Sequence, residues 1–441
     1  MRNWQSLPRL LAALPLIALA ACSSSPAPDR PVTLRLGVAL TPEELASFQP
    51  ALEVVDQAHA DWTVELETTP QSGIVEKINA QMAGNALPDV VRLSGLLVHR
   101  WVRQDAFLEL SDLVEQDAVD LEDFYQGPLD QFRWNGRLWG IPDTAAPDLV
   151  FYNLDMFDAA GVAYPDESWT LDDMRQAAVR LTLDSGSRNP SDPQFDPGNI
   201  QQWGWNGGIT NLWQRHLVLP FGGDFCANAD CTLMDFTAPE TLAGVGWWTS
   251  LIQDDFAAPY DPYSGEQTGV PGDPFQAGVA AMGMNGFFAV GQLNQAGSLR
   301  YDISQPFLDA TGRRFTPLST NGYLISAATQ HPEQAWQLVQ ALVAVDFLEA
   351  TWGEPGHSVP ARRSAAPSAL NPDHPPTNQA AILAAMEYGQ VFRPHTASAF
   401  EAYARTADLF VLVMKGDLTV EEGLAQVEAI ANDALAADRD E

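Results

Sequence analysis

The chain has 441 residues, 46% of them hydrophobic, which is enough apolar material to fill the cores of two domains of ordinary size. It carries 57 acidic against 23 basic residues, a formal net charge of -34, and its only lysines are Lys77 and Lys415. Such a surface repels phosphate backbones and argues against nucleic acid as a partner. The same repulsion disfavours a strongly anionic ligand, although a local arginine pocket could override it.

The first 22 residues have the organisation of a secretory signal. Arg2 and Arg9 supply a positive end, and residues 10–21 form an apolar stretch too short to cross a bilayer as a mature helix. Small residues directly precede Cys22, and a Ser- and Pro-rich tract follows it, so residues 1–22 resemble a lipoprotein signal and residues 23–31 a flexible tether. We expect a lipid-modified Cys22 that anchors an exported protein to the cell membrane, facing the periplasm or the cell exterior. The alternative is an ordinary signal peptide with an incidental cysteine.

The other two cysteines, Cys226 and Cys231, lie in the short sequence CANADC. An exported chain meets an oxidising compartment, which favours a disulfide between them. A metal site needs more ligands than two thiols, and no histidine lies in that loop. The sequence therefore predicts a structural disulfide, with no metal and no cofactor.

Strand and helix patterns alternate over residues 32–94. Residues 32–40, 62–69 and 88–91 have the apolar and β-branched residues of strands, with amphipathic helices between them. This order predicts a parallel sheet flanked by helices, with ligands beyond the carboxyl ends of the strands. For the first loop, capping of the helix that follows is an equal alternative. The candidate ligand-binding residues in these loops are Thr41, Glu43, Gln71, Ser72 and Ser94.

Residues 136–157 predict a passage between two lobes. A hairpin signal ends at Gly140, and Pro147 breaks the chain before an apolar run over residues 149–152. A buried strand entered through a rigid bend suits a chain that leaves one lobe for another. Asp143 in this segment is a further candidate ligand-binding residue.

A loop rich in Pro, Asp and Ser covers residues 184–198. Its aspartates could hold calcium, but their spacing fails the EF-hand pattern. We interpret it as a solvated loop, with calcium as the minor alternative.

Residues 203–223 are unusually aromatic. Trp205 and Trp213 stand among Gly, Asn and Thr, where a flat indole face can be presented to a sugar ring while Asn211 reaches hydroxyl groups. Core packing is the alternative for both tryptophans, and it is the interpretation for Trp203. Further on, Thr237 to Glu240 predicts a helix that begins with a capping box.

The tract FQAGVAAMGMNGFF at residues 275–288 predicts a short helix, a buried strand and a Gly turn. The helix after that turn would point its amino terminus at a cleft. Two later residues are also candidates: Tyr323, and Arg362, for which an ion pair at a hinge is an equal alternative. The candidates in the tract itself are Asn285, Gly286, Phe287 and Phe288.

Several of these motifs together resemble the bacterial extracellular solute-binding proteins, the sugar-binding family of ABC importers that includes maltose-binding-like lipoproteins. The family's tracts "Y/W-G-[IL]-P…YN…[LF]" and "F-x-x-G-x-[AV]-A-M-x-x-x-G-x-W" match at residues 139–157 and 275–288. Shorter matches are LPDV at 87–90, PEQAW at 332–336 and PAR at 360–362. Where the family commonly has a stacking tryptophan, this chain has Phe287 and Phe288.

The resemblance implies a two-lobed α/β periplasmic-binding-protein fold of type II, in which each lobe is a sheet flanked by helices and the ligand cleft lies between the lobes. Residues 32–148 and 304–355 would form the N-terminal lobe, and residues 149–303 and 356–441 the C-terminal lobe. It also implies a non-enzymatic, monomeric protein that delivers a mono- or oligosaccharide to the transmembrane subunits of an ABC permease. A secreted glycoside hydrolase is the alternative from another class. A same-fold binder of glycerol-phosphate esters or polyamines would need an arginine cluster or an acidic-aromatic box, respectively.

Overall fold

The computed structural model describes residues 31–70, 73–229, 231–391 and 397–436. Its strands are β1 (Val32–Ala39), β2 (Trp62–Thr69), β3 (Val90–Ser94), β4 (Arg133–Trp134), β5 (Arg137–Leu138), β6 (Ile141–Asn153), β7 (Leu183–Asp184), β8 (Ile200–Gln202), β9 (Met282–Gly286), β10 (Tyr301–Ser304), β11 (Pro317–Ile325), β12 (Val359–Pro360) and β13 (Gln390–Val391). Its α-helices are α1 (Pro42–Ala58), α2 (Ile74–Ala83), α3 (Gly95–Val102), α4 (Ser111–Gln116), α5 (Gln126–Gln131), α6 (Leu154–Ala160), α7 (Leu171–Leu181), α8 (Pro239–Gln253), α9 (Ala289–Ala296), α10 (Pro332–Leu342), α11 (Val345–Leu348), α12 (Ala380–Tyr388), α13 (Ala397–Lys415) and α14 (Val420–Ala434). Short 3₁₀ turns lie at Pro197–Asn199, Leu212–Leu217, Leu219–Phe221 and Ala366–Ala369, and a π turn lies at Glu349–Gly353.

The first three strands form the parallel sheet that the sequence predicts. β2 pairs with β1 along its whole length, and β3 pairs in parallel on the other side of β1. Helix α1 begins with the expected capping box, in which the Glu44 amide donates to Thr41 Oγ1 at 3.2 Å and the Thr41 amide donates to the Glu44 carboxylate at 2.7 Å. Helix α1 buries Phe48 and Leu52 in the same cluster as β1. The predicted α/β fold class is confirmed.

One long strand, β6, belongs to both halves of the main sheet. Its residues 141–147 pair antiparallel with β11, which lies beside β3, and its residues 148–153 pair antiparallel with β9 and β10. In the described part of the chain, nine strands thereby form one continuous sheet. The change of partners falls at Pro147 and Asp148, so the predicted passage between lobes runs through the middle of a strand.

Apolar side chains gather in separate clusters around this strand. One cluster is built around Trp62 and Trp101, a second around Trp205 and Trp248, and a third packs on β6 around Phe151. Burying a large apolar side chain contributes roughly 1.5–3 kcal/mol, so each cluster can hold its own part of the chain together.

The lobe boundaries given above stay a prediction, and the packing bears on two of them. Phe307 lies in the second cluster, although its number places it in the predicted N-terminal lobe. Ala361 and Ala365 lie in the first cluster, although their numbers place them in the predicted C-terminal lobe. Packing therefore favours lobe boundaries placed just after Phe307 and just after Ala365, instead of before residues 304 and 356.

The start of helix α8 differs from the sequence prediction. Its cap residue is Ala238, which offers no side-chain cap, and Pro239 occupies the first turn. The Thr237 hydroxyl instead donates to a Glu428 carboxylate oxygen at 2.9 Å. A long-range partner on α14 replaces the local capping box.

The predicted disulfide joins Cys226 and Cys231, whose Cα atoms are 4.8 Å apart. Next to it, the Ala227 amide donates to the carbonyl of Leu233, two residues beyond Cys231, at 2.8 Å. In the ranges that the structure describes, no helix combines the length and the hydropathy needed to cross a bilayer. Cys22, and with it the predicted signal and all but the last residue of the predicted tether, lies outside the described residues.

A buried ion pair lies where β3 and β6 flank β11. Arg92 Nε donates to Asp143 Oδ2 at 2.6 Å, Arg92 Nη2 donates to Thr144 Oγ1 at 3.1 Å, and the guanidinium lies 4.1 Å from the centre of the Trp352 ring. Asp143 has no exposed surface and Arg92 only 5%. Asp143, a candidate ligand-binding residue in the sequence, is therefore placed in the interior with a fixed cationic partner.

We expect Arg92→Ala to lower the free energy of unfolding by about 3–5 kcal/mol, because it leaves the Asp143 carboxylate buried without its partner. Arg405→Ala is the matched control, because the partners of Arg405, Glu401 and Asp433, are exposed and such pairs contribute roughly 0–1 kcal/mol. Urea unfolding followed by circular dichroism measures both. Equal losses in the two variants would contradict a structural role for the buried pair.

Candidate ligand-binding site

A cavity of about 280 Å³ lies beside β6 where the strand changes its partners. β6 contributes Asp148, β9 contributes its last residues, and β11 contributes Ser319. The remaining wall comes from two loops, one around residues 205–217 and one at Pro262 and Tyr263. The cavity thus lies at the β6 seam, between residues of the second cluster and the shared sheet.

Four aromatic side chains line this cavity. Trp205 forms part of its floor, only 2% exposed and packed on Trp248 and Phe307. Phe288 and Tyr263 are 46% and 50% exposed, unusual values for rings of this size.

Trp213 is the fourth ring, and helix α13 fixes its orientation. It stacks on Tyr403 with ring centres 6.1 Å apart and lies 5.5 Å from Phe400. An indole held in this way forms a rigid flat wall, which lowers the entropy cost of binding a ligand against it.

The polar part of the wall is held in place by Asp273. Asn285 Nδ2 donates to Asp273 Oδ2 at 2.8 Å, and the Asn206 side chain also hydrogen-bonds to this carboxylate. The Phe275 amide donates to Asp273 Oδ1 at 2.8 Å. Burial raises the pKa of Asp273, and the hydrogen-bond donors lower it. The effect of burial is larger, so the pKa lies above its ordinary value. The Asp273 carboxylate therefore holds the side chains of Asn206 and Asn285 in place through hydrogen bonds.

Two glycines make room for side chains of the site. A Cβ at Gly283 would lie 2.5 Å from the Asn206 amide carbon, and a Cβ at Gly286 would lie 2.3 Å from the Phe288 ring. Neither position tolerates a side chain unless Asn206 or Phe288 moves. The Gly-rich character of residues 283–286 thus shapes the cavity.

Two ionisable groups of the wall have shifted pKa values. Burial raises the pKa of the half-buried Asp148 carboxyl to about 7. Burial, and secondarily the neighbouring Arg215 guanidinium, lowers the pKa of His216 to about 3. His216 is therefore neutral near pH 7, and its Nδ1 is shielded from solvent and has no hydrogen-bond partner among the described residues.

The model of the family described as bacterial extracellular solute-binding protein matches residues 41–346. The chain belongs to this family. A binding protein of Brucella abortus is 23% identical over 364 residues, which cover 78% of each chain.

Solved structures show the same fold. The solute-binding protein is similar to the ABC substrate-binding protein Lmo0181 of Listeria monocytogenes in complex with cycloalternan, with 21% identity, a TM-score of 0.75, and coverage of 92% of this chain and 99% of that one. It is also similar to the sugar-binding protein MalE of Xanthomonas citri, with 17% identity, a TM-score of 0.75, and coverage of 92% and 98%. The family resemblance and the two-lobed periplasmic-binding-protein fold predicted from the sequence are confirmed.

In this solute-binding protein, part of the predicted site comes together in one cavity. Phe288 lines it, whereas its neighbour Phe287 is 2% exposed and packs in the third cluster. The two rings belong to the turn between β9 and α9, where Phe288 has helical backbone angles, and only Phe288 lines the cavity. The predicted residues that line the cavity are Trp205, Asn211, Trp213, Asn285, Gly286 and Phe288.

Three predicted residues lie at or just after the carboxyl ends of the first strands and do not line this cavity. Thr41 lines a separate hollow of about 580 Å³ with Thr68 and Thr69. Ser94 ends β3 and precedes α3, and Glu43 is exposed in the first turn of α1. Gln71 and Ser72 lie outside the described residues.

The other predicted residues lie in the protein interior or in an ion pair. Tyr323 has no exposed surface, and burial raises the pKa of its hydroxyl well above the usual value. Arg362 pairs with Asp123 at 3.0 Å and donates to the Val343 carbonyl at 2.7 Å, which fits the ion-pair alternative. Trp203 is buried in the third cluster, as predicted.

Several residues of the cavity were missed by the sequence reasoning. Asp148 directly follows Pro147, and Tyr263 stands in a Gly- and Pro-rich loop, as Trp213 stands in a Gly- and Asn-rich one. Both signals were available in the sequence. Asn206 and His216 carry no such signal, because their roles depend on Asp273 and on burial.

In the loop considered for calcium, N–H groups of the loop itself hydrogen-bond to the Asp184 carboxylate. Asp184 accepts hydrogen bonds from the amides of Gly186, Arg188 and Asp196 and from Arg188 Nε at 2.8 Å. Both oxygens of the Asp184 carboxylate thus already accept hydrogen bonds from the protein. Within the described ranges, no cluster of His, Cys, Asp and Glu is placed to hold a metal ion.

We expect Asp148→Asn to stabilise the ligand-free protein at alkaline pH. The native pKa of Asp148 lies above that of the unfolded chain, so wild-type stability falls as pH rises from about 4 to about 7, and the amide removes this loss. The gain should be nearly absent at pH 4 and reach on the order of 4 kcal/mol at pH 8. Urea titrations of the variant and the wild type at these two pH values measure the gain. A difference in unfolding free energy that does not change with pH would contradict the raised pKa of Asp148.

Proposed function

We propose that this solute-binding protein captures a mono- or oligosaccharide and delivers it to the membrane subunits of an ABC importer. The observation that carries the proposal is the cavity at the β6 seam, where flat aromatic faces and amide groups line one space. Sugar rings present an apolar face that packs on an aromatic ring and hydroxyls that hydrogen-bond to amides. The two structural neighbours described above are a complex with cycloalternan and a sugar-binding protein, which is consistent with this ligand class.

The cavity is poorly suited to phosphate esters. Its described lining contains no lysine and no arginine, and Asp148 supplies a carboxylate. A phosphate would lose its hydration there without gaining a cationic partner. The alternative of a glycerol-phosphate ester therefore has no support at this site.

A thermal-shift screen with mono-, di- and trisaccharides tests the proposal. A sugar present at about 100 times its Kd should stabilise the folded protein by about 2.7 kcal/mol and raise the melting temperature. Mass spectrometry of the recovered sugar should show it intact. No shift with any sugar would contradict saccharide binding, and a cleavage product would favour the glycoside hydrolase instead.

We expect Phe288→Ala to weaken binding of the saccharide found in this screen about 30-fold, or about 2 kcal/mol, because the exposed ring offers a stacking face at the mouth of the cavity. Leu233→Ala is the matched control, a truncation of another exposed apolar side chain that lies outside the cavity. Isothermal titration calorimetry measures both. Equal affinities of the two variants would contradict the role of Phe288.

We also propose that Cys22 is lipid-modified and tethers the exported protein to the membrane. Cys22→Ser should move the protein from the detergent phase to the aqueous phase in a Triton X-114 separation, because the acyl chains supply the membrane affinity. Cys226→Ser, which removes a thiol of the disulfide, should leave the partition unchanged. Detergent-phase recovery of Cys22→Ser would contradict the anchor.

A further inference from the structure

The Asp148 carboxylate is the unusual group of the cavity. The Asp148 carbonyl accepts a hydrogen bond from the Thr316 hydroxyl at 2.5 Å. Its side chain is half-buried in the cavity wall, and no donor or cation among the described residues contacts its carboxylate. Asp143 on the same strand has Arg92, and Asp273 has several donors. Carboxylates removed from water are normally paired, so an unpaired one in a binding cavity points to a partner brought by the ligand.

The surroundings of Asp148 favour a cationic partner. Tyr263, Trp213 and Phe288 line the same cavity, and aromatic faces attract cations. His216 adds no positive charge near neutral pH, because its imidazole is neutral there. The net charge of -34 adds a field that draws cations toward the protein.

The amides indicate that the cation is carried by a hydroxylated molecule. Asn206, Asn285 and Ser319 line the cavity with Asp148, and Asp273 orients both asparagines. An aliphatic polyamine carries several ammonium groups and no hydroxyls. Asp148 is the one carboxylate in the described lining, so it could pair with only one of those ammonium groups.

We propose, resting on the saccharide function above, that the preferred ligand is an amino sugar whose free ammonium group pairs with Asp148. The ring of the sugar packs against the aromatic wall, and its hydroxyls bond to the oriented amides. N-acetylation removes the positive charge and should therefore weaken binding. An ammonium beside Asp148 pairs with the ionised carboxylate, so affinity should fall as pH drops below the pKa of the free carboxyl, about 7.

Calorimetry at pH 7 with matched disaccharides tests the proposal. The probes are cellobiose, the fully deacetylated chitin dimer and its di-N-acetylated form, which share a β-1,4-linked glucose skeleton. We expect wild-type protein to bind the deacetylated dimer at least about tenfold more tightly than either neutral probe, the range of a charge-assisted hydrogen bond. Asp148→Asn keeps the shape of the side chain but removes its charge. In this variant the ratio of the affinity for the deacetylated dimer to the affinity for the neutral probes should fall to about one.

Glu53→Gln is the control for overall charge, because it removes one exposed carboxylate of α1 far along the chain from the cavity residues. It should keep the wild-type preference. Circular dichroism of Asp148→Asn checks that the variant is folded.

The outcomes separate the two proposals. Wild-type protein that binds a neutral disaccharide as tightly as the deacetylated dimer overturns the amino-sugar inference and leaves saccharide binding in place. An unchanged preference in Asp148→Asn overturns the role of Asp148, and tighter binding of spermidine than of any dimer assigns the cavity to a polyamine. Failure of every saccharide to bind folded wild-type protein overturns both proposals.

Discussion

The sharing of β6 between two sets of partner strands is the constraint on which the rest of the structure depends. Its first half is hydrogen-bonded to β11, and its second half to β9 and β10. Ile141 of the first half lies in the first hydrophobic cluster and Val150 of the second half lies in the second, while the third cluster includes residues of both halves. The backbone between the halves stays in one strand. Asp148 is at the changeover, and it lines the cavity together with Ser319 of β11 and the last residues of β9. The position of the cavity follows from the pairing of this strand.

The cavity is held in shape by residues that face away from it. Tyr403 and Phe400 orient Trp213, Asp273 orients Asn206 and Asn285, and the missing side chain of Gly286 leaves room for Phe288. Supports of this kind lower the cost of ordering the site when a ligand binds. Asp148 is the exception, because its carboxylate has no support from the described protein. The wall is thus largely preorganised around one group that requires the ligand to complete it.

The sequence was sufficient for the fold where signals are local. The strand and helix periods of β1 to β3 and the capping box of Thr41 and Glu44 each act within a few residues, and the structure contains both. The chain break expected at Pro147 is wrong, because β6 continues through this residue and pairs it with Leu318 of β11. The capping box expected at Thr237 failed because Glu428, distant in sequence, binds that hydroxyl. The direction in which a side chain points was the other property that the sequence did not predict. Asp143 and Asp148 share a strand, and Phe287 and Phe288 are neighbours, yet in each pair packing sends one residue inward and the other to the cavity.

The most direct test of this account is a crystal structure with the saccharide that raises the melting temperature most in the thermal-shift screen. We predict electron density for that saccharide in the cavity beside β6, packed on Trp213 and Phe288, with one of its polar groups within hydrogen-bond distance of Asp148. A saccharide bound on the surface of a single lobe, away from the β6 seam, would contradict the central claim that this strand builds the binding site.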